Sequence, residues 1–195
     1  MKLCVALDDF SEEIMTKENW DILLDLKKEY PNLKVTMFTI PEQSGTKWIE
    51  SIYKKYKWIE MQRHGTDHSK TKSQVPTDKS YGMNDIYFGR VFKAPWWKLT
   101  KEEFDKMKSE GWLIATNKTN KFKGDYVYDD GREVIKDICY ELDNGVYTWH
   151  GHVQSQRKAN PHNPNGLPDV VALFKKHISK NTEFKFVSEV IENGS

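Results

Sequence analysis

The sequence predicts an α/β fold in which strands and amphipathic helices alternate within one layered or barrel-like domain. Three observations lead to this prediction. Short apolar or β-branched runs, typical of strands, are separated by segments whose apolar residues have helical spacing. Polar residues follow several strand-like runs directly, at the ends where α/β folds bind ligands. The 195 residues suffice for one domain, residues 1–195, with a sizeable core.

The first half of the chain is predicted to contain three strands and two helices. The strands are Lys2–Leu7, Val35–Ile40 and Trp58–Gln62, and the helices are Trp20–Tyr30 and Thr46–Tyr56. Both helices carry apolar residues on one side, and the first stops before Pro31, which disfavours a helical residue in front of it. A polar loop, Ser69–Lys79, follows the third strand.

The second half is predicted to continue the alternation. Its strands are Val91–Ala94, Trp112–Thr116, Tyr126–Tyr128, Val146–Trp149 and Phe184–Val187, and its helices run from the N-cap Thr100 to Glu110, over Arg132–Leu142 and over Leu167–Ile178. Thr100 and Glu103 have the spacing of a capping box, and Gly111 can end that helix. The apolar residues of Arg132–Leu142 have helical spacing.

Irregular segments join these elements. Residues 117–124 are predicted to form a loop, and Asp129-Asp130-Gly131 and Asn144-Gly145 are turn signals. Residues 160–168 contain three prolines, which predicts irregular backbone at a rim of the site.

Composition and charge exclude several partners. The net charge is +1, with 30 basic and 29 acidic side chains, so no overall field attracts nucleic acid or an anionic membrane surface. The apolar run at the start of the chain is too short for a membrane span or a signal peptide. Cys4 and Cys139 lie in apolar surroundings, which favours buried, reduced thiols. Together these observations predict a cytoplasmic protein.

His64 and His68 have the spacing of two ligands to one metal ion. On a helical turn, residues four apart lie on one face, so both imidazoles can reach one cation at roughly 2.0–2.1 Å. Catalytic zinc sites usually combine three protein ligands with an open position, so we expect a third ligand, a carboxylate, from elsewhere. The alternative is a polar loop with two exposed histidines, because this short pattern often occurs by chance.

The first predicted strand ends in the carboxylate pair Asp8-Asp9. Adjacent residues that leave a strand point in different directions, so one carboxylate can bind a metal while the other accepts a proton. The alternative is a turn or a helix N-cap before residues 11–13.

Four segments, in chain order, resemble the motifs of the polysaccharide deacetylase family (NodB-like, carbohydrate esterase family 4). They are Ala6-Leu7-Asp8-Asp9, His64-x3-His68, Phe92-Lys93-Ala94-Pro95-Trp96 and Tyr147-Thr148-Trp149-His150. The resemblance implies a distorted (β/α) barrel with about seven strands, fewer than the eight of a full barrel, and a site at the C-terminal strand ends.

The resemblance also implies roles for the motif residues. It makes Asp8 the catalytic base, His150 the general acid, and Asp9, His64 and His68 the ligands of a divalent metal, with zinc expected first and cobalt, nickel or manganese as alternatives. Lys93, Pro95, Trp96 and His152 are expected to bind the substrate. The implied reaction removes an acetyl group from an N- or O-acetylated sugar or a related substrate, through water activated by the metal.

The chain departs from the family pattern at several positions. Phe10 replaces the usual glycine after the aspartates, and Lys93 replaces an arginine that orients the base. The fourth motif is not evident, and the nearest stretch ends in Asn117. The last motif offers two histidines, His150 and His152, of which we expect His150 to be the acid because an apolar run leads directly into it.

Tryptophans lie next to several motif positions and have two possible uses. Trp96 is equally compatible with stacking on a sugar and with core packing, whereas Trp112 and Trp149 are predicted to lie in the core. His162 and His177 are predicted to have no role.

Two other functions remain open from the sequence. The chain can be a metal-dependent hydrolase of another small-molecule amide on the same scaffold. It can also be a catalytically impaired relative that only binds carbohydrate, which the altered third and fourth motifs favour.

Overall fold

The protein, described here by a computed structural model, is a curved sheet surrounded by helices. The described residues are 1–76, 85–118, 120–135, 139–142, 146–154 and 166–192. The strands are β1 (Lys2–Phe10), β2 (Val35–Thr39), β3 (Ile59–Arg63), β4 (Val91–Lys93), β5 (Leu113–Asn117), β6 (Tyr126–Ile135), β7 (Cys139–Leu142), β8 (Tyr147–His152) and β9 (Glu183–Lys185). The helices are α1 (Lys17–Glu29), α2 (Thr46–Lys55), α3 (Lys101–Ser109), α4 (Leu167–Lys175) and α5 (Val187–Glu192), with short 3-10 turns at Pro41–Gln43, Asp85–Tyr87 and Pro95–Trp97.

The sheet closes on itself as a distorted barrel. The strand order is β2-β3-β4-β5-β6-β7-β8-β1, and β1 also pairs with β2, which joins the two ends. Within the described residues, β1 to β6 and β8 are parallel, whereas β7 lies antiparallel between β6 and β8. β9 adds to the N-terminal half of β1. The predicted barrel with about seven strands is therefore confirmed.

Alternation along β1 separates the two apolar layers of the fold. Leu3, Val5 and Leu7 pack in the cluster beneath the outer helices, whereas Cys4 and Ala6 belong to the cluster inside the barrel. The next inward position is residue 8, so the period-2 pattern carries a carboxylate to the C-terminal mouth of the barrel. Two valines of α5 join the inner cluster, which places α5 at the other end.

The predicted helix Arg132–Leu142 is wrong. The backbone forms the end of β6 and the strand β7, which pairs on both sides, with β6 and with β8. The helical spacing of apolar residues is overridden because a strand here satisfies the backbone groups of both neighbouring strands. Residues 129–131, read as a turn, lie inside β6, where the pairing with β7 shifts register. The turn at 144–145 lies outside the described residues.

Other predictions meet mixed outcomes. The capping box of Thr100 is present, and Trp112 and Trp149 lie in the core with 8% and 0% of their surface exposed. The predicted final strand is shorter than expected, because α5 begins at Val187. The helix α4 begins at Leu167, as predicted, and residues 160–165 of the segment predicted to be irregular, with His162, lie outside the described residues. Within the described residues, no helix combines the length and hydropathy that crossing a bilayer requires.

Candidate metal centre and active site

Strand β1 delivers both carboxylates of the pair into the mouth of the barrel. Asp8 continues the inward face, and Asp9 has a positive φ of 61°, which turns its side chain toward the same mouth. Both are buried, with 3% and 2% exposed. Phe10 then points outward and packs against Trp20 of α1 and Trp48 of α2, at ring distances of 5.8 and 5.0 Å. Phe10, which replaces the glycine usual in the family, is therefore part of the hydrophobic core.

His64 follows the last residue of β3 and is held by hydrogen bonds on both sides. Its backbone N–H donates to the carbonyl of Thr39 at 2.7 Å. Its ring Nδ1 lies 3.0 Å from the carbonyl oxygen of Lys93. Because a carbonyl can only accept, Nδ1 carries the proton, and Nε2 presents a lone pair to the site in the neutral ring.

A loop, not a helical turn, brings His68 beside His64. Their ring centroids are 5.2 Å apart. Gln74 organises this loop, because its Oε1 accepts from the N–H groups of Thr66 and His68 at 3.2 and 2.9 Å. Gly65 has a φ of 70°, and a Cβ there would meet Oε1 of Gln74 at 2.6 Å. The loop therefore requires glycine at this position.

The ligand atoms of Asp9, His64 and His68 converge. They all lie within 4.8 Å of one another. Nε2 of His68 and Nε2 of His64 lie 3.1 and 3.5 Å from Oδ1 of Asp9, and this buried oxygen has no hydrogen-bond partner among the described residues. The lone pairs of this carboxylate oxygen and of the two imidazole nitrogens would repel one another unless a cation lies between them. One carboxylate and two imidazoles, with an open position, form the donor set of a catalytic zinc-type site.

Electrostatics keep Asp8, the other carboxylate of the pair, ionised. Burial alone would raise the pKa of Asp8, but the Lys93 ammonium and the neighbouring imidazoles outweigh burial and hold that pKa below its ordinary value. Nζ of Lys93 lies 2.8 Å from Oδ1 and 2.7 Å from Oδ2 of Asp8. Lysine therefore reaches both oxygens of the carboxylate here, although it lacks the planar fork of arginine.

Lys93 is itself buried, with 1% exposed, and it is surrounded by aromatic rings. Its Nζ lies 4.4 Å from the ring centre of Trp97, 4.7 Å from that of Tyr128 and 5.0 Å from that of Phe38. Burial lowers the pKa of Lys93, whereas Asp8 opposes that shift. The aromatic cage fixes the ammonium in place.

His150 is oriented by the same ammonium. On β8 it pairs with Ala6 of β1, so it shares the inward face with residues 148 and 152. Its Nδ1 lies 3.1 Å from Nζ of Lys93, which donates, so Nδ1 accepts and Nε2 carries the ring proton. Burial, followed by the charge of Lys93, places the pKa of His150 well below its ordinary value. The ring is therefore neutral near pH 7 and presents an N–H to the pocket.

His152 and Gln154 contact the other side of Asp9. Nε2 of His152 lies 4.0 Å from Oδ2 of Asp9, and its ring is 5.1 Å from that of His150. Nε2 of Gln154 donates to the same Oδ2 at 2.9 Å. Gln154 and Gln74 were not predicted as site residues, because a single polar residue in a loop has no periodic or spacing signal.

The third motif forms the wall of the site. Pro95 is buried behind Gly65, whereas 40% of Trp96 is exposed and its ring lies 4.4 Å from that of His68. Among the described non-glycine residues, those with positive φ are Asp9, His68, Trp96 and Trp97. Such conformations cost of order 1–3 kcal/mol each and persist where surrounding structure enforces them, often at functional sites.

Eight of the nine predicted site residues line one pocket of about 220 Å³. They are Asp8, Asp9, His64, His68, Lys93, Trp96, His150 and His152. The ninth, Pro95, supports the loop behind the pocket. Trp97 also lines the pocket, although no role was predicted for it.

Comparison with solved structures identifies the fold. A family 4 acetyl xylan esterase from Clostridium thermocellum, in complex with a cobalt ion, aligns over 99% of this chain and 91% of its own, with a TM-score of 0.58 and 14% identity. The peptidoglycan deacetylase PdaC from Bacillus subtilis aligns over 98% and 91%, with a TM-score of 0.52 and 12% identity. A family 4 pseudoenzyme from Bacillus anthracis aligns over 97% and 65%, with a TM-score of 0.54 and 13% identity.

Sequence comparison adds no closer relative, since no protein-family model and no curated protein matches the chain. At these identities the solved structures show a common fold. The resemblance first seen in four short motifs is therefore confirmed at the level of the fold, the NodB-like barrel of family 4 carbohydrate esterases and deacetylases.

Proposed function

We propose that this chain is a metal-dependent deacetylase of the polysaccharide deacetylase family, which removes an acetyl group from an acetylated saccharide. One observation supports this function above all others. The metal-ligating set Asp9, His64 and His68 lies beside a separate ionised carboxylate, Asp8, and a separate imidazole, His150, in one pocket at the C-terminal mouth of the barrel. Metal-assisted hydrolysis of an acetyl group uses a cation, a base and an acid in this proximity.

The metal and its ligands have distinct contributions. A divalent cation held by Asp9, His64 and His68, with zinc expected first, supplies polarisation of an acyl carbonyl and acidification of water. The protein fixes the ligands through outer hydrogen bonds. Lys93 O accepts from His64, Gln74 positions the backbone of His68, and Gln154 donates to Asp9. Such outer contacts set ring orientation and ligand basicity.

Asp8 acts as the base. Its low pKa keeps it ionised through the neutral range, so it can accept a proton from water there. Lys93 fixes both carboxylate oxygens, which holds the base in one orientation. A base this weak is suited to water that is already acidified.

His150 acts as the acid. Its Nε2–H faces the pocket, because Lys93 occupies Nδ1 from behind. As the leaving group takes the proton from Nε2, Nδ1 takes a proton from the Lys93 ammonium that donates to it, so the ring stays neutral and Lys93 becomes the neutral amine. The position of Lys93, between base and acid, couples both groups to one cation.

The test is elemental analysis of purified protein together with an acetate-release screen. We expect one zinc, cobalt, nickel or manganese ion per chain and metal-dependent acetate release from acetylated chito-oligosaccharides or acetylated xylan. Protein that binds no metal and releases no acetate from any substrate would contradict the proposal.

A second function, carbohydrate binding without catalysis, is favoured by one observation. Lys93 replaces the arginine of the family motif, and the solved pseudoenzyme shows that this fold also exists without activity. Metal-loaded protein that binds an acetylated oligosaccharide without releasing acetate would support this second function.

A further inference from the structure

The pocket over the metal centre is too small for a whole saccharide. Its volume is about 220 Å³, below the roughly 300–1,000 Å³ of typical ligand pockets. A second groove of about 790 Å³ adjoins it, and Trp96 and Trp97 line both. A substrate whose acetyl group reaches the metal centre can therefore place its remaining units along this groove.

The side walls of the groove are strongly basic. Five lysines line it, against one carboxylate, and they are Lys70, Lys72, Lys98, Lys101 and Lys121. The carboxylate belongs to Glu103, and both of its oxygens are engaged. Oε2 accepts from the backbone N–H of Thr100 at 2.9 Å, and Oε1 accepts from the hydroxyl of Ser73. Glu103 therefore serves the cap of α3.

Three of these lysines have charges that no described carboxylate neutralises. Lys72 pairs with Asp67 at 3.2 Å, and Lys101 pairs with Asp105. Lys70, Lys98 and Lys121 are exposed and form no ion pair with another described residue. Since the whole chain has a net charge of only +1, this groove concentrates positive charge in one place.

Apolar side chains also line the groove. Trp96 is 40% exposed, and Leu99 and Phe122 are half-buried. Nζ of Lys70 lies 5.9 Å from the ring centre of Trp96. An exposed indole offers a face on which an apolar sugar face can stack, and a lysine above it can contact an anionic group on the same sugar.

We propose that the groove binds an anionic saccharide, so that the substrate is an acetylated sugar linked to units that carry a carboxylate or a phosphate ester. This proposal rests on the deacetylase function proposed above and specifies its substrate class. Single-stranded nucleic acid also combines phosphates with stacking bases, but the groove opens into a pocket of metal ligands, a base and an acid, which suits a substrate with an acyl group.

The first test measures binding independently of turnover. Chelator-treated protein is titrated, by tryptophan fluorescence at low salt, with a hexasaccharide of alternating N-acetylglucosamine and glucuronic acid, with the neutral N-acetylglucosamine hexamer and with N-acetylglucosamine 1-phosphate. We expect at least one anionic ligand to bind about tenfold or more tightly than the neutral hexamer, and the preference to disappear in 0.5 M salt. The arm that binds distinguishes a carboxylate from a phosphate.

Matched variants assign the preference to the groove. Lys98→Gln with Lys121→Gln should abolish the tenfold preference, whereas Lys47→Gln with Lys176→Gln, which removes two exposed lysines elsewhere, should keep it. Equal affinity for anionic and neutral ligands, equal weakening of both in the groove variant, or preferential binding of a thymidine oligonucleotide through the same lysines would overturn the proposal.

Acetate release separates the failure of this proposal from failure of the proposed function. Zinc-loaded protein that releases acetate from neutral and anionic oligosaccharides with the same kcat/KM is a deacetylase without the anionic preference. Protein that prefers anionic ligands but releases no acetate from any of them would support the proposed groove specificity and contradict the proposed deacetylase function.

Discussion

The two ends of the barrel both contain carboxylates removed from solvent, and the pKa values of these carboxylates shift in opposite directions. At the C-terminal mouth, Lys93 and the imidazoles hold the pKa of Asp8 below its ordinary value. At the other end, the carboxylate of Glu60 receives hydrogen bonds from the hydroxyl groups of Thr36, at 2.8 Å, and Ser188. There burial dominates and raises the pKa of Glu60.

This difference indicates that a nearby cation outweighs burial at the C-terminal mouth, whereas burial prevails at the other end, where the donors are hydroxyl groups. A single strand spans both environments, because Glu60 begins the inward face of β3 and His64 follows its end. At the end of the barrel that α5 covers, the hydroxyl groups of Thr36 and Ser188 donate to Glu60. At the C-terminal mouth, the buried Lys93 ammonium keeps the carboxylate of Asp8 ionised.

The largest expected effect at the mouth comes from removing its ionised base. Asp8→Asn should reduce acetate release to background, because the amide cannot accept the proton, while the metal content stays unchanged because Asp9, His64 and His68 remain. Elemental analysis and an acetate assay on the same preparation check this. Loss of the metal from Asp8→Asn would mean that the two aspartates have exchanged roles.

The two histidines of β8 should differ in effect. Loss of a general acid typically costs about 10²–10⁴ in rate, so His150→Ala should lower kcat by that factor with little change in metal content. His152→Ala should lower kcat less, since its Nε2 lies toward Asp9 and not beside Lys93. Steady-state kinetics of both variants provide the comparison, and a greater loss in His152→Ala would reverse the assignment.

The third prediction concerns Lys93, the cation that makes the C-terminal mouth differ from the other end of the barrel. In metal-free protein, Lys93→Met should lower the free energy of unfolding by about 3–5 kcal/mol at pH 7, because it leaves Asp8 buried without its counter-ion. The double variant with Asp8→Asn should recover most of this loss. Denaturant unfolding of the singles and the double gives the coupling, and additive effects would show that the pair is not coupled.

The smallest expected effect lies at the closed end. Glu60 has a raised pKa in the fold, so its contribution to stability is fully present below its unfolded pKa and is lost as pH rises through the folded pKa. Glu60→Gln imitates the protonated state. Relative to wild type, this variant should therefore gain stability between pH 4 and pH 8, by an amount on the order of 1 kcal/mol. Thermal unfolding across this pH range tests the prediction, and a gain toward low pH would contradict it.

The sequence predicted those features that have a local pattern. Strand β1 and helix α3 were recognisable from an apolar run and a capping box, because these patterns arise within a few residues. The segment 132–142 was mistaken for a helix, since its pairing with two distant strands is not visible locally. Helix α5 was missed because six residues are too few to establish a helical period.

The site divides in the same way. Asp8, Asp9 and the histidine pair were found because their family motifs occur in order, since each pattern alone is short and also occurs by chance. Lys93 was recognised as a departure, but its simultaneous contacts with the base and the acid depend on the closure of the barrel. Gln74 and Gln154 act through single hydrogen bonds to ligands, which only the folded loops create.

The central claim is that Asp9, His64 and His68 form one metal site, and metal stoichiometry tests it most directly. Protein purified with zinc and then dialysed should retain one ion per chain by elemental analysis. His68→Ala should weaken zinc affinity by more than about 100-fold, since even outer contacts are worth 10–100-fold. The exposed control His177→Ala should keep the wild-type stoichiometry. Zinc binding that is equal in wild type and His68→Ala, or absent from both, would contradict the account.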